Sequence, residues 1–274
     1  TTFSTFPLRA AKEVAAKKHI PFIADIRDLD EQVPNAQYQY HRQWWTHPFR
    51  AWYRNINIHR RNQVLPFASA VTTVSPWHVD FIHNLNPHVH LIYNGFDSEQ
   101  FYAQDLPFSK FLITYIGRLY EFQQPALQLV SQAVRELNIS DIELNLHFPN
   151  SRYLPITEVG DEIRRSSVVL VFTSQDTHGM MTTKFFEALG CEKPILCIPS
   201  DNGLLAKTIR DTNAGIATGD VAAIKNFILN KYHEWQENGV THQPVRNKEQ
   251  FNRQTEAQQF EQLLLNLCKR KSLS

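Results

Sequence analysis

Thr177–Leu196 reads THGMMTTKFFEALGCEKPIL, and what flanks it decides the fold. The apolar run SSVVLVFTS (166–174) leads into it, and a second run, KPILCIP (193–199), overlaps its end. Short apolar runs bounded by turn residues read as strands buried on both faces. Between them, KFFEAL reads as a short helix carrying Lys184 and Glu187, three residues apart and so on one face. Parallel strands need such a crossover, so the unit predicts a parallel α/β sheet.

The same alternation extends in both directions. PFIADI (21–26), AVTTV (70–74) and VHLIY (89–93) read as strands, with helices over 11–18, in much of the stretch up to residue 67, and near 77–85. The turn NGFD (94–97) closes this run, Asn-Gly supplying the positive φ a tight turn needs. The cycle restarts with FLITYI (111–116), IELNLHF (142–148), VVLVFT (168–173) and PILCIP (194–199). Helices are expected over 125–137, 157–166, 203–212, 221–237 and 253–267, the last from Ala257, Phe260, Leu264 and Leu267. Two successive runs predict two doubly wound domains, over residues 1–103 and 104–240. Residues 241–274 form a C-terminal segment whose helix is expected to return to the first domain.

The 274 residues are long enough for two cores. With 28 basic against 27 acidic residues there is no global field to draw nucleic acid. Three scattered cysteines, Cys191, Cys197 and Cys268, suit neither a disulfide framework nor a zinc site and suggest reduced thiols in the cytoplasm. No run approaches the roughly 20 apolar residues of a membrane span, and no signal peptide is visible. The chain opens on Thr1 rather than Met, so its true start is expected upstream.

In open α/β sheets ligands sit outside the carboxyl ends of the strands, where strand order reverses. The loop after VVLVFTS lies at such an end, and the dipole of the next helix favours negative charge. Lys184 adds a full positive charge there, and Glu187 can accept two hydrogen bonds from a vicinal diol such as a ribose. An amide-lined turn, a Lys and a Glu are the parts a nucleoside diphosphate needs. The bland alternative is a surface Lys–Glu pair worth about 0.2–0.5 kcal/mol. Gly117-Arg118 follows FLITYI at another carboxyl end: glycine lets backbone approach a phosphate, and a guanidinium binds it in bidentate fashion. The alternative there is a tight turn with a solvated arginine.

Taken in order, YIGRLY (115–120), SSVVLVFTS and GMMTTKFFEALGCEKPIL (179–196) resemble the nucleotide-sugar half of the family-4 retaining glycosyltransferases. PFIADIRDLDEQ (21–32), ASAVTTVSPWHVDFI (68–82) and IYNGFDSEQF (92–101) resemble the later part of that family's acceptor domain and its hinge. The resemblance covers most of the chain. It implies the two-domain GT-B fold, Rossmann-like in both halves, with the first strands of the acceptor domain preceding Thr1. It also implies hexosyl transfer from a nucleotide-diphosphate sugar to a glycan or lipid-linked acceptor, with retention and without a metal or other cofactor. Carried over, the donor site comprises Gly117, Arg118, His178, Gly179, Met180, Met181, Thr182, Thr183, Lys184 and Glu187, with Arg118, Lys184 and Glu187 catalytic. Gly179 stands where many members have a first glutamate, and GRLYEFQQP lacks the lysine that commonly follows the arginine, leaving the diphosphate to Lys184.

Asp25, Arg27 and Asp28 are expected at a strand's carboxyl end, as acceptor-side groups or as a structural ion pair. The Asp28-Leu29-Asp30 spacing matches the metal-binding pair of another transferase fold, against which the flanking strands argue. Residues 32–79 contain no Asp or Glu, while Arg42, Arg50, Arg54, Arg60 and Arg61 interleave with Trp44, Trp45, Phe49, Trp52 and Tyr53. Peripheral membrane contact through residues 42–61 stands beside ordinary core packing. Ser75 reads as a helix cap. Two other classes stay open: a non-catalytic nucleotide- or glycan-binding remnant of this fold, and a nucleotide-sugar epimerase. The sequence names neither the donor's base and sugar nor the acceptor.

Overall fold

The computed structural model describes residues 6–32, 47–148, 154–173 and 179–272. Its contacts divide the chain into two compact units. The first runs up to Tyr93 and includes Gly179, Met180 and the chain from Thr255; the second holds the rest, from Asn94 to Gln254.

The first unit has a three-stranded parallel sheet of β1 (Ile23–Ile26), β2 (Ala70–Thr73) and β3 (Val89–Leu91), in the order β1-β2-β3. Helices α1 (Phe6–Lys18), α2 (His47–Val64) and α3 (Pro76–His83) accompany it. The strands run in sequence order, as on one side of a doubly wound sheet. Ala24, Ile26 and Val71 meet Leu8 of α1, Val64 of α2 and Ile82 of α3 in one apolar core.

The second unit has five parallel strands: β4 (Phe111–Ile116), β5 (Ile142–His147), β6 (Val168–Phe172), β7 (Ile195–Ile198) and β8 (Gly215–Ala217). Their order is β5-β4-β6-β7-β8. The chain starts at β4, steps one way to β5, then crosses back to β6, so strand order reverses between β4 and β6. Right-handed crossovers then put helices on both faces. Phe111, Ile113 and Tyr115 pack under α4 (Gln124–Leu137) and α8 (Val221–Asn238), joined by Val130 and Ile228. α5 (Ile156–Arg165), α6 (Thr183–Gly190) and α7 (Leu204–Asp211) fill the remaining crossovers. With both faces covered, β6 and β7 are buried along their whole length, which is why they read as unbroken apolar runs.

Local signals fix the ends. Asp220 accepts hydrogen bonds from the amides of Ala222 and Ala223 to start α8, and Gly239, at φ 72°, stops it. The units divide at Tyr93–Asn94, ahead of the 103/104 position read from the sequence, because Phe96 and Phe101 are buried against Gly190 in the second unit. Residues past 240 stay with that unit too: Thr241 donates to the Ser167 carbonyl and Gln243 to that of Asn213. Helix α9 (Arg253–Ser272) belongs to the first unit from Thr255 onward.

Candidate functional site

In the second unit, the predicted donor residues Gly117, Lys184 and Glu187 stand at the carboxyl ends of β4 and β6, the two strands between which the order reverses. Thr182 starts α6 by accepting a hydrogen bond from the Phe185 amide (3.4 Å). Phe185, Phe186, Ala188 and Leu189 are buried in the core, which fixes the helix and leaves Lys184 and Glu187 half-buried on its remaining face. Gly117 has φ 130°, and a Cβ there would lie 2.7 Å from Lys184 Cε and 2.9 Å from Nζ. The missing side chain makes room for the lysine, whose ammonium is 5.5 Å from the Tyr115 ring centroid.

Lys184 and Glu187 do not form the surface ion pair of the bland reading. Among the described residues neither side chain makes a hydrogen bond or an ion pair, although each feels the other's charge. Burial pushes the Lys184 ammonium below its ordinary pKa against the pull of Glu187. Burial likewise raises the Glu187 carboxyl above its ordinary value, opposed by Lys184 and Arg253. A contrast lies nearby in sequence: Lys193 is fully buried, but Asp105 (2.9 Å) and the Thr241 carbonyl (3.2 Å) hold it. The structural lysine is therefore satisfied, while among the described residues both charges of α6 stand without protein partners, the arrangement of a site for a charged, hydroxyl-bearing ligand.

Two side chains that sequence reasoning missed shape the Gly117–Arg118 loop. Tyr115, 1% exposed, donates its hydroxyl to the Arg118 carbonyl (2.7 Å) while its ring lies beneath Lys184. Gln123 accepts from the Tyr120 amide (3.1 Å) and donates to the Phe172 carbonyl (3.2 Å), tying the loop after β4 to the end of β6. Tyr115 lies near the end of a strand and Gln123 at a helix start, and although YIGRLY and GRLYEFQQP contain them, neither position by itself signals a brace for the loop. The exposed Arg118 has its guanidinium 5.8 Å from the Tyr120 ring centroid.

Of the other donor candidates, Met181 accepts a hydrogen bond at sulfur from Thr208 (3.7 Å), and Thr183 is exposed. Gly179 and Met180 belong to the first unit. Gly179, at φ 59°, lies against the turn between β2 and α3: a Cβ would meet Ser75 Oγ at 2.3 Å and Trp77 Cβ at 2.9 Å. His178 lies outside the described residues, as do Arg42, Trp44 and Trp45.

In the first unit, Asp25 and Arg27 bond one another. Arg27 Nε donates to Asp25 (2.9 Å), whose other oxygen accepts from Thr72 on the neighbouring strand (2.8 Å). Arg27 also pairs with Glu256 of α9. This network joins strand end to C-terminal helix. Burial raises the neighbouring Asp28 carboxyl, with Arg27 opposing. Asp30 is likewise raised by burial, in a turn where Arg61 pairs with Glu31 and Arg54 donates to the Asp30 carbonyl. Among the described residues, no three His, Cys, Asp or Glu side chains come together as a metal site. Ser75 occupies the cap position of α3 in extended conformation, but its hydroxyl makes no capping bond, so the expected cap holds for the backbone alone.

No protein-family model and no curated protein matches the chain. Solved structures do. HepE from Anabaena in complex with UDP superposes with TM-score 0.64 at 14% identity, over 96% of this chain and 77% of that one. A glycosyltransferase from Rickettsia africae gives 0.53 at 10% identity, over 96% and 80%. A variant of TarM from S. aureus, in complex with fondaparinux, α-GlcNAc-glycerol and UDP, gives 0.55 at 11%, over 89% and 50%. The α/β fold with its parallel, Rossmann-like sheets is thus that of the GT-B glycosyltransferases.

Proposed function

We propose that the chain is a glycosyltransferase that moves a hexosyl group from a nucleotide-diphosphate sugar to a glycan or lipid-linked acceptor, with retention at the anomeric carbon. One observation carries the reading: Lys184 and Glu187 are half-buried and have no protein partner among the described residues at the reversal of strand order, with Gly117 clearing the space beside them. In this reading Glu187 accepts hydrogen bonds from the ribose diol. Arg118, Lys184 and the start of α6 face the diphosphate. As the glycosidic bond breaks, negative charge grows on the leaving diphosphate, and fixed cations stabilise it more in the transition state than in the ground state. No carboxylate nucleophile is needed if the acceptor attacks from the leaving-group side and the departing phosphate takes its proton. The likeness to HepE, crystallised with UDP, makes UDP the first nucleotide to try.

A second reading, nucleotide binding without transfer, is favoured by Gly179, where positive φ and the nearby Ser75 leave no room for an acidic side chain. Calorimetric titration with UDP, GDP and ADP, on this chain and on Glu187→Ala, tests the donor site. Micromolar binding of one nucleotide, weakened about tenfold or more by the substitution, supports it. Absence of binding to all three refutes it. Release of free nucleotide from the matching nucleotide sugar then separates the transferase from the binding module.

A further inference from the structure

Helix α2 buries polar side chains along much of its inward face: Asn57 and Arg61 are only 8% and 6% exposed, with Val64 the buried apolar residue at its end. Arg61 makes a two-point pair with Glu31 (2.9 and 2.6 Å), and Arg54 donates to the Asp30 carbonyl (2.6 Å). The acidic turn at Asp30–Gln32 therefore helps set the rotation of the helix, and the aromatic side of its first half is turned to solvent. Phe49, Trp52 and Tyr53 are 66%, 57% and 47% exposed, and Ile56 is half-buried. Their spacing, i, i+3, i+4 and i+7, makes one stripe, with the Phe49 and Trp52 rings 5.5 Å apart. The exposed Arg60 continues the stripe by one turn. Phe67, just past the helix, is also exposed, with the Lys12 ammonium of α1 3.3 Å from its ring centroid.

Single exposed aromatics are ordinary, but a contiguous stripe is the mark of an interaction surface. Its charge says which kind. α2 contains no Asp or Glu, Arg60 lies one turn beyond Ile56, and Lys12 sits over Phe67. Trp and Tyr favour the headgroup level of a bilayer, where the ring is buried and the polar edge stays wet. Cations bordering an apolar face favour anionic lipid over a neutral one. No described helix is long and apolar enough to cross a membrane.

We propose that Phe49, Trp52, Tyr53 and Ile56, with Arg60, form a docking surface on which the chain lies against an anionic lipid bilayer, α2 in the plane of the headgroups. The binding is independent of the donor-site reading. The corollary, that the acceptor is presented at a membrane surface, does rest on that reading.

The whole chain is sedimented with phosphatidylcholine vesicles, and with vesicles of phosphatidylcholine and phosphatidylglycerol. The expected result is binding to the anionic vesicles, weaker binding to the neutral ones, and release by salt. The double substitution Phe49→Ser/Trp52→Ser and the single Arg60→Glu should each lower the partition coefficient by about tenfold or more, with an unchanged circular dichroism spectrum. Failure to bind anionic vesicles, equal binding to both kinds, or a serine pair that binds like the parent overturns the proposal. So does a dimer that forms through the stripe and dissolves in the serine pair, since the occupant is then a second copy.

Discussion

Gly117→Ala adds one methyl group beside the end of the Lys184 side chain. The new Cβ would sit 2.7 Å from Lys184 Cε and 2.9 Å from Nζ, too near for either atom to stay. Residue 117 also has φ 130°, a conformation that favours glycine, so holding alanine there costs about 1–3 kcal/mol. At about 2–4 °C per kcal/mol for a unit of this size, melting should fall by roughly 2–12 °C. The lysine's flexible end can swing aside, so the second consequence is for the ligand. A hydrogen bond from a charged group contributes about 1.5–3 kcal/mol, and its loss weakens UDP binding about ten- to hundredfold. Calorimetry on Gly117→Ala, Lys184→Ala and the double variant separates the two effects. If alanine acts by displacing the lysine, it costs no further affinity once Lys184 is gone, while its melting penalty persists. A Gly117→Ala variant that melts lower but binds UDP within about twofold of the parent refutes the role given to Lys184. So does a double variant in which the affinity losses multiply.

Glu187→Gln should stabilise the ligand-free chain near neutral pH while weakening nucleotide binding. Burial raises the Glu187 pKa above 4.5, so above that window the native state carries a charge it disfavours, and below pH 4.5 the difference disappears. Melting of both proteins across this range checks it, and equal stability at neutral pH would count against a desolvated carboxylate. His78 is fully buried, bonds Thr73 through Nδ1 (2.8 Å), and is held down from 6.5 to about 4, chiefly by burial and then by Arg61. Its neutral form is the native one. Stability should therefore fall as pH drops from 6.5 toward 4, by on the order of 3 kcal/mol, and His78→Asn should flatten that slope. An unchanged slope in the variant would remove His78 as the cause.

Much of the second unit was legible in the sequence because burial on both sheet faces writes strands as apolar runs, and FLITYI, IELNLH, VVLVF and ILCI all fall on observed strands. The three-residue strand Gly215–Ala217 was missed; GIA is too short to carry a period, and only its pairing with Ile195–Cys197 defines it. The helix bearing Lys184 and Glu187 and its place after a strand could also be read from spacing. That the two charges stand apart, half-buried and without partners among the described residues could not, since one turn of separation suits a salt bridge equally well.

The sequence by itself determined the alternation of strand and helix, the glycine at 117 and the position of Lys184 and Glu187 on one helical face, because these follow from local periodicity and chemistry. Only the tertiary structure decided which strands are neighbours, and hence that the chain reverses between β4 and β6 and brings Gly117 beside Lys184. It also decided that Tyr115 and Gln123 brace the loop at that reversal, and which side of α2 faces out. That last choice rests on Glu31 and Asp30, which are distant from α2 in sequence but draw its arginines inward and turn its aromatics toward solvent.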